Sequence, residues 1–193
     1  MQNDDRVMPN LDMMIGREVV VTEKMDGENT TMYRNGIHAR SIDGRHHNSR
    51  NWVKRFWGEH CLSIPPGTRV CGENVYAQHS IAYDDLDTYF YAFGIWDGPD
   101  CLHWDSTREL FKHWGFTPVP TIWRGEFDIA KLREIANDMD LDKQEGYVVR
   151  LVESFKFDEF AYAVGKYVRA NHVQSDEHWM HKEIIPNGLK ENV

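Results

Sequence analysis

Val19-Val20-Val21-Thr22-Glu23-Lys24-Met25-Asp26-Gly27 is the stretch around which the chain is organised. The valine run reads as a strand over Glu18 to Lys24, and Asp26-Gly27 reads as the turn that ends it. A primary amine therefore sits at a strand end, with a carboxylate two residues on and a glycine that permits a sharp turn. That placement suits a lysine used as a nucleophile rather than as a solvated surface charge.

Working outward, Asn29 to Tyr33 and Ile37 to Ser41 form a hairpin about Arg34-Asn35-Gly36, because Asn-Gly is a strong hairpin turn. Asn51 to Cys61 places Trp52, Val53, Phe56, Trp57 and His60 at helical spacing. On that spacing Trp52 and Trp57 belong to a buried helix face rather than to base-stacking platforms. Thr68 to Tyr76 and the aromatic-rich Thr88 to Trp96 read as strands. A helix capped by Ser106 runs to Trp114 and closes at Gly115, and a second, amphipathic helix spans Asp128 to Met139. Tyr147 to Val152 and Phe160 to Val168 are late strands. Strands, helix, strands, helices and strands in that order favour α+β with largely antiparallel sheets over a doubly wound parallel sheet.

The 193 residues suit one domain over 1–193, with 171–193 a polar tail of no readable fold. A hydrophobic content of 41% supports a real core. No apolar run reaches membrane-spanning length, and the first ten residues are not a signal peptide. The three cysteines include no close pair, which suits a reducing compartment, so a cytoplasmic location is expected. The net charge of -9 argues against bulk nucleic-acid binding, but only as an average. Positive charge gathers at Arg40, Arg45, His46, His47, Arg50, Lys54 and Arg55, and again at Lys166, Arg169 and His172, enough to hold a phosphate backbone on one face. The adjacent histidines match no zinc spacing, and the loop from Ser41 to Arg50 reads as a solvated loop or a contact for substrate phosphate.

Three further charges fall in or beside apolar strands: Glu73 in RVCGENVYA, Glu145 opening EGYVVR, and Lys166 in AVGKYVR. Charges there are costly unless paired or bound to a ligand. With Lys24 they complete a series. The segments Glu23-Lys24-Met25-Asp26-Gly27, His38-Ala39-Arg40-Ser41, Gly72-Glu73, Tyr89-Phe90-Tyr91-Ala92-Phe93, Glu145-Gly146-Tyr147-Val148-Val149 and Val164-Gly165-Lys166-Tyr167-Val168-Arg169 follow one another in order. In this the chain resembles the ATP-dependent RNA ligases, phage-type members of the covalent lysyl-nucleotidyltransferase superfamily that also holds DNA ligases and mRNA capping guanylyltransferases. The resemblance runs from about residue 18 to residue 170. It implies a nucleotidyltransferase (ATP-grasp-like) domain of antiparallel sheets flanked by helices, in a minimal form, since too little chain follows Arg169 for an OB-fold.

The resemblance also implies a chemistry. AMP from ATP is attached to a lysine with loss of pyrophosphate, passed to an RNA 5′-phosphate, and displaced by a 3′-hydroxyl, as in RNA repair. An ordinary lysine is almost wholly protonated at neutral pH, so such chemistry needs desolvation or neighbouring positive charge. By position in the motifs, Lys24 is the adenylylated nucleophile, with Asp26 and Gly27 completing its nucleotide-binding turn. Glu23 reads the adenine edge, Arg40 (or its rival Arg45) contacts ribose or phosphate, and Glu73 binds the ribose hydroxyls. Phe93, with Tyr91 as competitor, stacks on adenine. Asn29 lies near phosphate and metal, Glu145 binds a divalent ion (Mg2+ or Mn2+), and Lys166 holds the α-phosphate. Arg45, Arg50 and Arg169 are expected to meet the RNA ends. Where many relatives carry a second lysine in the last motif, this chain has Arg169. The other readings are a minimal DNA ligase, a guanylyltransferase, or a nucleotide-binding adaptor without turnover. The presence of the nucleophile speaks against the adaptor. No protein partner is implied, and a viral origin would put the enzyme in the host-cell cytoplasm.

Overall fold

A computed structural model describes residues 8–40, 47–168 and 184–190. In chain order its elements are β1 (Glu18–Glu23), β2 (Glu28–Tyr33), β3 (Gly36–Ala39), α1 (Asn51–His60), β4 (Thr68–Asn74), β5 (Phe90–Asp97), β6 (Asp100–Cys101), α2 (Trp104–Trp114), β7 (Thr117–Pro118), β8 (Thr121–Glu126), α3 (Ile129–Asp138), β9 (Gly146–Leu151), β10 (Phe155–Lys156), α4 (Phe160–Ala163) and β11 (Val164–Val168). One sheet has the order β11-β9-β1-β8. The other runs β10-β6-β5-β4-β2-β3, with β7 added in parallel beside β5. The architecture is the α+β arrangement of antiparallel sheets and flanking helices that the sequence implied.

Alternation along β1 sets the layers. Val19 and Val21 join Tyr147, Val149 and Leu151 on a face covered by Leu132 and Ile135 of α3. Val20 points the other way and packs with Met25, Val75, Tyr91, Trp104 and Val119 between the sheets. On the far side of the second sheet, Met32, Val70, Phe90 and Ile95 are covered by Val53 of α1 and by Phe111 and Trp114 of α2. A strand buried on both faces has a continuous apolar run rather than alternation, which is why the valines stand together.

Four readings need correction. The helix read as capped by Ser106 starts at Trp104, and its N-cap is His103, whose side chain accepts from the Asp105 amide at 3.2 Å. Burial of Trp104 draws the first turn inward. Phe160 to Val168 is one helical turn followed by a strand, with Ala163 buried between them. The strand β8 had no counterpart in the sequence reading. It is an edge strand that alternates between exposed and half-buried residues, and it pairs with β1 along Glu18↔Glu126 to Thr22↔Thr121. An edge strand carries little apolar signal. Finally, part of the expected tail is built into the fold. Residues 184–190 dock on the connection between β4 and β5 through the bridges Ala77↔Pro186 and Leu86↔Leu189. Residues 171–183 of that tail lie outside the described residues. Among the described residues, no helix is long and apolar enough to cross a membrane.

Candidate active site

Lys24 stands immediately after β1, and its amide donates to the carbonyl of Gly146 at 3.0 Å. The β1–β9 ladder, with Glu23 opposite Tyr147, extends one residue and so brings the Lys24 and Glu145 side chains together. The Lys24 ammonium forms an ion pair with Glu145 Oε2. Glu145 is only 2% exposed and Lys24 24%, so the carboxylate is the sequestered partner and the amine faces the opening. Gly146 makes this approach possible: a Cβ there would lie 1.9 Å from the Tyr167 carbonyl oxygen on β11. Gly27 has a similar duty, since its Cβ would lie 2.4 Å from the Asn74 carbonyl oxygen.

The second sheet supplies the facing wall. Glu73 on β4 is opposite Asn29 on β2 and Tyr91 on β5, so the three occupy one rung and one face. The Arg40 amide donates to the Asn29 carbonyl at 2.9 Å, which sets the exposed Arg40 at the edge of that rung. Burial pushes the Glu73 carboxyl up to about 8. Lys24 opposes the shift, while Glu145, Asp26 and Glu28 add to it, so these charges share one field. Burial also raises Glu23, against a hydrogen bond from Gln144. Lys166 on β11 sits opposite Val148, which in turn pairs with Thr22, two residues before Lys24. Strand alternation therefore puts Lys166 and Lys24 on the same sheet face, with Lys166 exposed.

The competition on β5 resolves into two environments. Tyr91 is 4% exposed, and its hydroxyl accepts from the Asp87 amide at 2.9 Å. Phe93 is only half-buried and falls at the bulge where Cys71 pairs with Gly94 but Gly72 with Ala92. Bulges re-aim side chains, and Phe93 is the ring left with open surface beside Val20, Val75 and Tyr91.

Two other residues sit elsewhere than expected. Asp26 is 1% exposed, and its Oδ2 accepts from Ser80 N at 2.8 Å, Ser80 Oγ at 2.7 Å and Ile81 N at 2.8 Å. Its carboxylate anchors the β4–β5 connection to the nucleophile turn. Arg50, expected to meet substrate, is buried and forks onto Glu28, with Nε at 3.0 and 2.9 Å from the two carboxylate oxygens. Arg45 and Arg169 lie outside the described residues, as does His46. His47 Nδ1 is 2.6 Å from Ser49 Oγ.

Supporting residues that the motifs did not reveal come from the connection and from residues 184–190. The Tyr83 hydroxyl accepts from the Asp26 amide at 2.9 Å. Asn187 is buried, donates to the Val75 carbonyl at 2.7 Å and accepts from the Tyr83 amide at 2.8 Å. The one available signal was the length of the connection between the β4 and β5 segments, since long irregular loops inside compact domains are usually functional.

No three carboxylate, histidine or cysteine groups converge on a metal position among the described residues. Glu145 offers one hard oxygen beside the Lys24 amine. A single carboxylate fits a magnesium-like ion, which keeps several waters and is completed by substrate phosphates.

Glu73 gives the nucleotide-free protein a pH signature. Its folded value of about 8 lies well above that of an ordinary carboxylate, so the fold binds the proton more tightly than the unfolded chain does. The stabilisation is complete below the ordinary carboxylate range and is lost as pH rises towards 8. Thermal melts from pH 5 to 8 should show the melting temperature falling. Glu73→Gln should flatten much of that slope, with Glu23 supplying the remainder. An unchanged slope in the variant would remove Glu73 from the buried cluster.

Two largely antiparallel sheets with a lysine–carboxylate pair between them are the arrangement that the resemblance to nucleotidyltransferase domains implied. The chain belongs to the RNA ligase family, whose sequence model matches residues 17–168. Among curated proteins no sequence relative is found. Solved structures agree on the fold. The Naegleria gruberi RNA ligase with pyrophosphate is 23% identical, with a TM-score of 0.54, over 77% of this chain and 51% of that one. A mutant of the same ligase with ATP and Mn is 20% identical at TM-score 0.53, over 80% of this chain and 53% of that one. A putative ATP-dependent DNA ligase from Aquifex aeolicus is 22% identical at TM-score 0.56, over 82% of this chain and 45% of that one. The chain thus spans about half the length of these proteins.

Proposed function

We propose that this protein is an ATP-dependent RNA ligase that joins 5′-phosphate and 3′-hydroxyl ends through AMP carried on Lys24. The observation that carries the reading is the Lys24–Glu145 pair, held between the sheets within the field of Glu73. In the first step the Lys24 amine loses a proton and its nitrogen attacks the α-phosphorus of ATP. The N–P bond forms as the bond to pyrophosphate breaks. AMP then moves to an oxygen of the RNA 5′-phosphate, and the 3′-hydroxyl oxygen displaces it, sealing the strand. Lys166, on the face of Lys24, is suited to hold the α-phosphate and steady its oxygens as pyrophosphate leaves. Phe93 offers the open ring for adenine, Glu73 and Arg40 the polar contacts for ribose and phosphate, and Asn29 lies on their rung. Glu145 would hold Mg2+ or Mn2+, which supplies positive charge to the phosphates when bound.

Incubation with ATP labelled at the α-phosphate and a divalent ion should leave label on the denatured chain. GTP and NAD should leave none. Label from GTP alone would turn the reading to a guanylyltransferase, and none from any nucleotide on AMP-stripped protein would end it. The likeness to a DNA ligase fold favours one second reading, a DNA-sealing enzyme with the same first step. Comparison of nicked RNA with nicked DNA as substrate separates the two.

A further inference from the structure

A groove of about 640 Å³ is lined by Asn48, Asn51, Trp52, Arg55, Tyr76 and Ile184. Its walls are tied to the strands that carry the cleft. Arg50, between Asn48 and Asn51 in the chain, holds Glu28 at the start of β2. Asn74 Nδ2 donates to the Ser49 carbonyl at 3.5 Å, and Tyr76 lies three residues past Glu73. The groove therefore lies at the Glu28–Asn74 end of the β2–β4 pairing, beyond the rung of Glu73 and Asn29.

Its chemistry is particular. Trp52 and Tyr76 each meet Tyr89 edge-on, at 5.2 Å and 87° and at 5.1 Å and 80°. Trp52 is also stacked on Phe56 at 5.2 Å. Both lining rings are held in place by packing, yet both are only partly buried. Neither the Trp52 indole nitrogen nor the Tyr76 hydroxyl has a hydrogen-bond partner among the described residues. Asn48, Asn51 and Arg55 are exposed, and Arg55 has only a loose contact with Glu59 at 3.8 Å. Among the described residues no carboxylate lines the groove, although the protein carries 31 acidic residues and a net charge of -9. Fixed aromatic surfaces, unpaired donors, amides and one guanidinium suit an unstacked base with its phosphate.

We propose that this groove binds a nucleotide of the RNA strand whose end is processed at Lys24. The base lies on Trp52 and Tyr76, its polar edge meets the indole N–H and the amides, and Arg55 takes a phosphate. The proposal rests on the polynucleotide-joining reading above and extends it to strand recognition. It also reverses the reading of Trp52 as core alone; Trp57, by contrast, donates its Nε1–H to the Tyr33 carbonyl at 2.7 Å.

The test is equilibrium binding of a fluorescent, 5′-phosphorylated oligoribonucleotide, with ATP-dependent labelling of Lys24 followed in parallel. Trp52→Leu should weaken binding about tenfold, the scale of one lost base stack. Arg55→Ala combined with Asn51→Ala, both at exposed positions, should weaken it several-fold and lower its salt dependence. Wild-type affinity in both variants would overturn the proposal. So would a loss in Trp52→Leu that is matched by an equal loss of Lys24 labelling while the exposed double variant binds normally, because the effect would then be structural. The labelling readout keeps the outcomes apart: absence of labelling in the wild type counts against the ligase reading, whereas the groove is decided by the binding series.

Discussion

Lys24→Ala loses all covalent AMP and also loses stability, and the combination distinguishes this lysine from a surface charge. On the proposed mechanism the label forms on the Lys24 nitrogen alone. The stability loss follows from the partner left behind. Glu145 is 2% exposed and donates its charge to the ion pair with Lys24. Removing one member of a buried pair takes the counter-charge from the other and costs roughly 3 kcal/mol. Glu145→Gln should behave differently. The amide keeps the shape of the carboxylate, and Lys24, at 24% exposure, can turn towards water. Its fold should survive, while the labelling rate falls about a hundredfold with the loss of the anionic charge facing the metal. Denaturant melts beside labelling rates for the two variants check this. A Lys24→Ala protein as stable as the wild type would mean that the pair is not formed in solution. A fully active Glu145→Gln protein would take Glu145 out of the site.

Asp26→Ala should destabilise the protein by about 3 kcal/mol and cut Lys24 labelling at least tenfold. Oδ2 of Asp26 accepts from two backbone amides and a serine hydroxyl, all at 2.7–2.8 Å. Truncation takes the acceptor from the buried Ile81 amide and opens the Ser80 contacts, and an orphaned buried donor carries a desolvation penalty of about 1–3 kcal/mol. The nucleophile turn is then released from the β4–β5 connection. Asp26→Asn, whose amide oxygen can still accept, should recover part of both losses. If Asp26→Ala melts with the wild type yet fails to label, the carboxylate acts on the nucleotide and not on the loop.

The strands that carry the site were readable because each has a strong local cause. The valine run of β1 is buried on both faces, Asn35-Gly36 turns the β2–β3 hairpin, and the charges at Glu73, Glu145 and Lys166 stand out against apolar strands. Their convergence was legible only through the order of the motifs, which the family match over residues 17–168 supports. What was missed has no local signature. The edge strand β8 is held by pairing with β1 rather than by its own pattern. Arg50 looked like a phosphate ligand because nothing nearby in sequence shows that Glu28, 22 residues earlier, occupies its fork. The anchoring bonds of Asp26 could not be read because its partners lie 54 and 55 residues away. Asn187 could not be connected to the site at all from sequence, since its bond to Val75 spans 112 residues.

That staple has a kinetic meaning. Contacts between residues far apart in sequence carry a large closure entropy and tend to form late. The supports of Lys24 are of this kind: Glu145 is 121 residues away, Ser80 is 54 from Asp26, and Tyr83, which braces Asp26, is tied to Asn187 across 104. A partly folded chain would have its hairpins and helices before it had a nucleophile. The lysine has none of these neighbours until the distant pieces close around it, so on the proposed mechanism reactivity towards ATP is reserved for the finished fold.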